Sequence, residues 1–223
     1  MHAGGYCGKV FVTDITKFKA DKLSENGMYD AANAVSSLSW NPGFAKVASA
    51  STDAGDLHMF DVRVGQYDRS NRVIRTGVKQ LYSHVWTDNY SALLGFGDGF
   101  LRLFDIRMPH ECVVWFQDQK VHRIGSISLD PQRRFFVTFG NPNFSVWRCD
   151  AKRNFTFWYH DPSSVSKLQL DLDPWYKNDG AFMTTGGRQH GIFATTDAHG
   201  FICLYDAHSA EQAAVSLTSA RQD

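Results

Sequence analysis

The stretch GFGDGFLRLFDIR, Gly95 to Arg107, decides how this sequence is read, because a near copy, STDAGDLHMFDVR, runs from Ser51 to Arg63. Each begins with an acid-and-glycine turn, continues as an alternating apolar run and closes on Phe-Asp-x-Arg. Alternation with period two places successive side chains on opposite faces of an extended chain, so both copies read as a turn leading into a half-buried strand. A structural repeat then sets the fold.

The ending recurs. GKVFVTD closes at Asp14, DLHMFD at Asp61, FLRLFD at Asp105, NFSVWR at Arg148 and FICLYD at Asp206, with spacings of 47, 44, 43 and 58 residues. Three of the four spacings lie near one value; the last is longer, and WYKNDGAFMTTGGRQH (175–190) reads as its insertion. Within each unit a first alternating run, VSSLSW (35–40), LYSHVW (81–86), IGSISL (124–129) or VSKLQL (165–170), meets a turn rich in Asn, Asp, Pro or Gly. A second run follows, KVASAS, ALLGFG, FFVTFG or GIFATT, then the run that ends in Phe-Asp or its variant. RVIRTG, CVVWFQ and NFTFWYH read as fourth strands. β-Branched and aromatic enrichment with Gly/Asp/Asn/Pro punctuation favours strands throughout. The exception is ADKLSENGMYDAANA (20–34), read as an exposed connection able to carry a short helix.

The totals agree with an all-β chain. Hydrophobic residues make up 43% of 223, enough for a sizeable core, and aromatics, at 14%, suit strands. Lys plus Arg equals Asp plus Glu, 23 each, so no net field draws nucleic acid or an anionic membrane. The four cysteines, at 7, 112, 149 and 203, are scattered, which fits reduced thiols inside a cell better than a disulfide framework. No uncharged apolar run has the length of a membrane span, and the N-terminus has no signal-peptide pattern.

Four short strands per unit of about 40–45 residues is the pattern of a β-propeller blade. In SLSWNP…KVASAS…DLHMFDVR, HVWTD…ALLGFGDGFLRLFDIR, SISLDP…FVTFG…FSVWR and KLQLDLDP…GIFATTDAHGFICLYD, the chain resembles the WD-repeat β-propeller family along nearly its whole length. The resemblance implies one propeller domain over residues 1–223, with blade units at approximately 1–30, 31–77, 78–118, 119–160 and 161–223. It also implies a five-bladed ring or part of a larger propeller completed by further sequence or another chain. The match departs from the family in two ways. Thr13-Asp14, Phe60-Asp61, Phe104-Asp105, Trp147-Arg148 and Tyr205-Asp206 stand where the family has Trp-Asp, and the family's Gly-His is mostly missing. His160, five residues before Val165, stands in for that His, and the resemblance implies a structural hydrogen bond to Asp197. Asp53 and Asp98 hold the same turn position as Asp197 without a matching His.

Chemistry-bearing motifs are weak. GGYCGKV (4–10) has the wrong glycine spacing for a phosphate loop and lacks its Ser/Thr. His110, Cys112 and His122 provide no second close ligand pair for zinc. HDPSS (160–164) has no nucleophile-elbow glycines, and Asp171 with Asp173 reads as a solvated strand end. The basic clusters KFKADK and DPQRRF are short and contain or adjoin acids, which speaks against nucleic acid. No catalytic residue, cofactor, metal, small-molecule substrate or membrane insertion is therefore expected. The expectation is a non-enzymatic, intracellular scaffold that binds protein partners, in cytoplasm or nucleus.

Only the Arg two residues after the repeat Asp is unexplained by repeat architecture, because the other copies have Thr16, Asp150 and His208 there. Asp61, Arg63, Asp105 and Arg107 are therefore the candidate partner-binding residues. In WD-repeat substrate receptors of cullin–RING ubiquitin ligases, Asp-x-Arg at this place docks the ligase adaptor, so the resemblance offers that role as an alternative. A fainter likeness of FDIR…SISLDP…FSVWR to propellers of nutrient-signalling and vesicle-coat scaffolds offers another. The bland alternative is that both Arg side chains cover neighbouring aromatics or pair with local carboxylates.

Overall fold

The structure, a computed structural model, describes residues 2–4, 7–12, 28–63, 72–141, 144–149, 155–159, 180–182, 191–196 and 202–207. Among these the chain is all β. The described residues form eighteen strands in five antiparallel sheets, and there is no helix among them. The first sheet holds β1 (His2–Gly4), β2 (Lys9–Val12) and β3 (Met28–Asp30); the second holds β4 (Val35–Trp40), β5 (Val47–Thr52), β6 (Asp56–Asp61) and β7 (Arg72–Arg75). The third contains β8 (Leu81–Trp86), β9 (Ser91–Phe96), β10 (Phe100–Asp105) and β11 (Cys112–Gln117). The fourth runs β12 (Arg123–Leu129), β13 (Phe135–Asn141), β14 (Phe144–Cys149) and β15 (Phe155–Tyr159). The fifth has β16 (Gly180–Phe182), β17 (Ile192–Thr196) and β18 (Ile202–Asp206). In each sheet spatial order follows chain order, so every sheet is a meander. The chain divides into two compact units, Met1–Phe116 and Gln117–Asp223.

The alternating runs fall on these strands within a residue or two at either end, except that GKVFV, read as a run closing a unit, is the middle strand β2 of its sheet and β3 follows it. VSKLQL lies outside the described residues, and the strand beside β17 is β16, inside the stretch read as an insertion. Three residues are too few for alternation to announce. In the stretch read as a connection with a short helix, residues 28–30 are instead strand β3. Tyr29 is buried between exposed Met28 and Asp30, an alternation that only an extended backbone gives. Lys9 on β2 pairs with Asp30 at 2.6 Å beside it.

Period two explains how the strands bury both faces. On β6, Leu57 and Met59 join a core with Leu81, Trp86, Ala92, Leu94 and Phe96 of the next sheet. Phe60, on the opposite face, joins Val10, Tyr29 and Ala31 of the preceding one. The second sheet is thus a layer between two others, and each face buries its own apolar set. In the second unit Phe135, Val137, Phe139, Phe144 and Val146 pack against Phe182 and Phe193 in the same manner. The opening strands of consecutive sheets lie side by side: β1 with β4, β4 with β8, and β12 with β16. Ser36 Oγ on β4 donates to Leu81 O on β8 at 2.6 Å, tying two of them together.

The corner after each third strand also repeats. Val62 N donates to Lys46 O, Ile106 N to Tyr90 O, Cys149 N to Arg134 O and Ala207 N to Gly191 O, each at 2.8 Å. In all four the donor immediately follows the third strand's repeat residue (61, 105, 148 or 206). In all four the acceptor lies at the entry to the second strand. The first sheet makes the same bond, Ala31 N to Gly8 O at 2.8 Å, after β3 and not at Asp14, so the bond follows the third strand in every sheet and the sequence ending in four of the five. The turn before the third strand has its own requirement in two copies: Gly55 takes φ +96° and Gly99 φ +77°, and a Cβ at Gly55 would also meet Val78 O at 1.8 Å.

Candidate functional site

The second and third sheets end in matching corners. Val47 lies opposite Asp61, and Ser91 opposite Asp105, so the turn entering the second strand and the corner leaving the third share one end of each sheet. Asp61 Oδ1 accepts the Arg63 backbone N–H at 3.0 Å and its Nε–H at 2.9 Å, and Oδ2 takes Nη2. Asp105 repeats this with Arg107, at 2.9 Å for the backbone N–H and 2.9 Å for Nε. The backbone bond closes an Asx turn, and the guanidinium lies side-on to the carboxylate it has just capped.

Each pair is self-contained yet outward-facing. The Asp side chains are mostly covered, whereas those of Arg63 and Arg107 are 70% and 58% exposed. With Nε and Nη2 engaged, Nη1 of each Arg has no hydrogen-bond partner among the described residues and keeps its donor capacity. The hydrogen bonds from Arg63 hold the Asp61 carboxyl down at about 2 and raise the Arg63 pKa. Asp105 raises the Arg107 pKa in the same way. The Asp61–Arg63 corner keeps both its charges at any physiological pH.

Around Arg107 the corner widens into an aromatic platform. The Arg107 guanidinium carbon lies 4.6 Å from the centre of the Tyr90 ring, which meets Phe44 of the neighbouring sheet edge-on at 5.6 Å. Phe44, Tyr90 and Met108 are all exposed. The turns beneath are locked. Buried Asn41 caps Gly43 and Phe44 through Oδ1, both at 2.9 Å, and donates Nδ2 to Asn89 O at 3.0 Å in the next turn. Asp88 caps Tyr90 and Ser91. The platform is held by buried Asn41 and half-buried Asp88 before any partner arrives.

His160 and Asp197 lie outside the described residues. At the equivalent turn, Asp98 pairs with Arg102 at 2.8 Å. The second unit contains a network the sequence reading missed. Asp118, buried, accepts Lys120 N at 3.0 Å, Val121 N at 3.1 Å and Ser145 Oγ at 3.0 Å on Oδ1, and Thr138 Oγ1 at 2.6 Å on Oδ2. Trp147 Nε1 donates to Thr138 Oγ1 at 3.2 Å and completes the chain. Asp118 stands five residues before β12, as His160 stands before Val165, and that spacing was the available signal. In the first unit buried Ser49 accepts from Trp86 Nε1 at 3.0 Å and shares a 2.7 Å bond with His84 Nε2. These buried networks bind strands together and do not reach solvent.

Among the described residues no group of three or more His, Cys, Asp and Glu could hold a metal ion, and no helix is long and apolar enough to cross a membrane. Cys112 bonds through its thiol to Leu103 O and Val114 O, and burial pushes its pKa up, which makes it a poor nucleophile. No protein-family model matches the chain, and no curated protein sequence matches it.

Proposed function

We propose that the chain is a WD-repeat-type β-propeller, or part of one, that acts inside the cell as a non-enzymatic scaffold for protein partners. The propeller reading is supported by four-strand meanders in series, by opening strands that adjoin within each unit, and by the corner bond repeated four times. The twin Asp-x-Arg corners carry the functional reading. Two copies of one pre-organised guanidinium, one stacked on an exposed tyrosine, form the kind of rigid Arg/aromatic anchor that dominates protein interfaces. Quantitative affinity capture with the native chain and with the Arg63→Ala, Arg107→Ala double variant tests this. Specific partners should be lost with the variant, and an unchanged partner set refutes the docking role.

A sharper second reading has a specific observation in its favour. The two corners are geometric duplicates, as expected if one partner engages both, which is how cullin–RING substrate receptors of this family meet their adaptor. Purified adaptor that binds the double variant as tightly as the native chain rules that reading out while leaving the scaffold reading intact.

A further inference from the structure

Strand β11 is the outer strand of its sheet, bonded on one side to β10 and, among the described residues, paired with no strand on the other. Its sequence, CVVWFQ, carries no charge over six residues, and five of the six are exposed. Val113 is 51% and Trp115 64% exposed, the latter the highest value among the large exposed hydrophobics. An open, apolar edge of this length is a template for further strand pairing unless something guards it. The corresponding outer strand β7 is guarded: it has four residues and an Arg at either end, Arg72 and Arg75. β11 has neither device.

We propose that β11 is a self-association edge, and that its occupant is β11 of a second copy of this chain. A two-fold axis perpendicular to the sheet keeps the same face up in both copies, so only antiparallel registers whose paired residue numbers sum to an even value are allowed. Centred on Val114, the pairing sets Val113 opposite Trp115 of the other copy, and Trp115 opposite its Val113. These are two aromatic–β-branched pairs on the most exposed face, a combination that stabilises neighbouring strands. Glu111 falls opposite Gln117, so no like charges meet. Trp115 already stands against the Phe100 ring at 5.7 Å, which holds it in place for the partner. One strand edge with its side chains covers roughly 500 Å² per copy, below the ~800 Å² of a standard interface, so the dimer is weak and reversible.

Sedimentation of the full chain over a wide concentration series tests this. The average mass should rise from one chain towards two. Trp115→Lys should stay at one chain and remain folded, with only a small drop in melting from loss of the Phe100 contact, because the side chain it replaces is outside the core. The register is tested separately by Val114→Cys, which puts a thiol on the axis and should yield a disulfide-linked dimer under a mild oxidant. The native Cys112 lies opposite Phe116, about 13 Å from its own copy, and should not cross-link. A single-chain mass at every concentration overturns the proposal, as does a mass rising past two chains. So does a Trp115→Lys variant that dimerises like the native chain, or a Val114→Cys variant that does not cross-link. Protection of β11 from hydrogen exchange only on adding a different protein assigns the edge to a foreign strand and equally overturns self-pairing.

Discussion

Replacing Asp118 tests the buried wiring of the second unit quantitatively. The carboxylate is 1% exposed and takes four hydrogen bonds, three on Oδ1 and one on Oδ2. In Asp118→Ala the Val121 N–H and the Ser145 hydroxyl lose their acceptor while still buried; Thr138 Oγ1 can turn to Ser145 O, 3.4 Å away. At about 1–3 kcal/mol per buried group left unpaired, the loss is about 3–4 kcal/mol. Asp118→Asn is different. Its carbonyl oxygen keeps all three Oδ1 bonds, its amide donates to Thr138 Oγ1, and the loss is about 1 kcal/mol. Because the chain divides into two units, a local probe is preferable to a global melt. Hydrogen-exchange mass spectrometry of β13 and β14 should show protection lowered by about two to three orders of magnitude in Asp118→Ala and by about one or less in Asp118→Asn. Equal losses in the two variants refute the hydrogen-bond accounting and make the charge itself decisive. A loss under about 1 kcal/mol for Asp118→Ala means the network does not hold these strands.

Three further outcomes follow from the first unit. Ser49→Ala strips Trp86 Nε1 and His84 Nε2 of a shared buried partner and should destabilise the second and third sheets by about 2 kcal/mol in urea unfolding; a change within error refutes the bridging role. Burial lowers the His58 pKa below its ordinary 6.5, so the neutral form is favoured in the fold. The corresponding stability is complete above pH 6.5 and is lost as pH falls through and below that value, a slope that His58→Gln should remove from unfolding free energies measured against pH. Asp61 should titrate near 2 by carboxyl NMR, with its ion pair intact above about 4 and lost as pH falls through about 2. Arg63→Ala should return Asp61 to the usual aspartate range, and an unmoved titration contradicts the side-on pairing.

The strands were legible because each carries its own alternation, and the repeat supplied four independent readings of one pattern. β16 was hidden by its length, and β3 by polar neighbours in sequence that conceal the single buried Tyr29. Asp118 is not legible for a chemical reason: the family pattern has a histidine donor near that position, whereas the structure uses a carboxylate acceptor with Thr138 and Ser145 as donors. Asp61, Arg63, Asp105 and Arg107 were legible as a duplicated motif, and two-residue spacing explains their pairing. The Phe44–Tyr90 contact was not, because it joins turns of different sheets, and the alternation within either strand carries no trace of it.

The central claim, that the paired corners and their aromatic platform form a protein-docking surface, is tested most directly by a hydrogen-exchange footprint of the captured complex. Protection on partner binding is expected at residues 42–46, 61–63, 88–90 and 105–108, and it should disappear for the Arg63→Ala, Arg107→Ala variant. A footprint confined to other residues, or one that survives both substitutions, contradicts the claim.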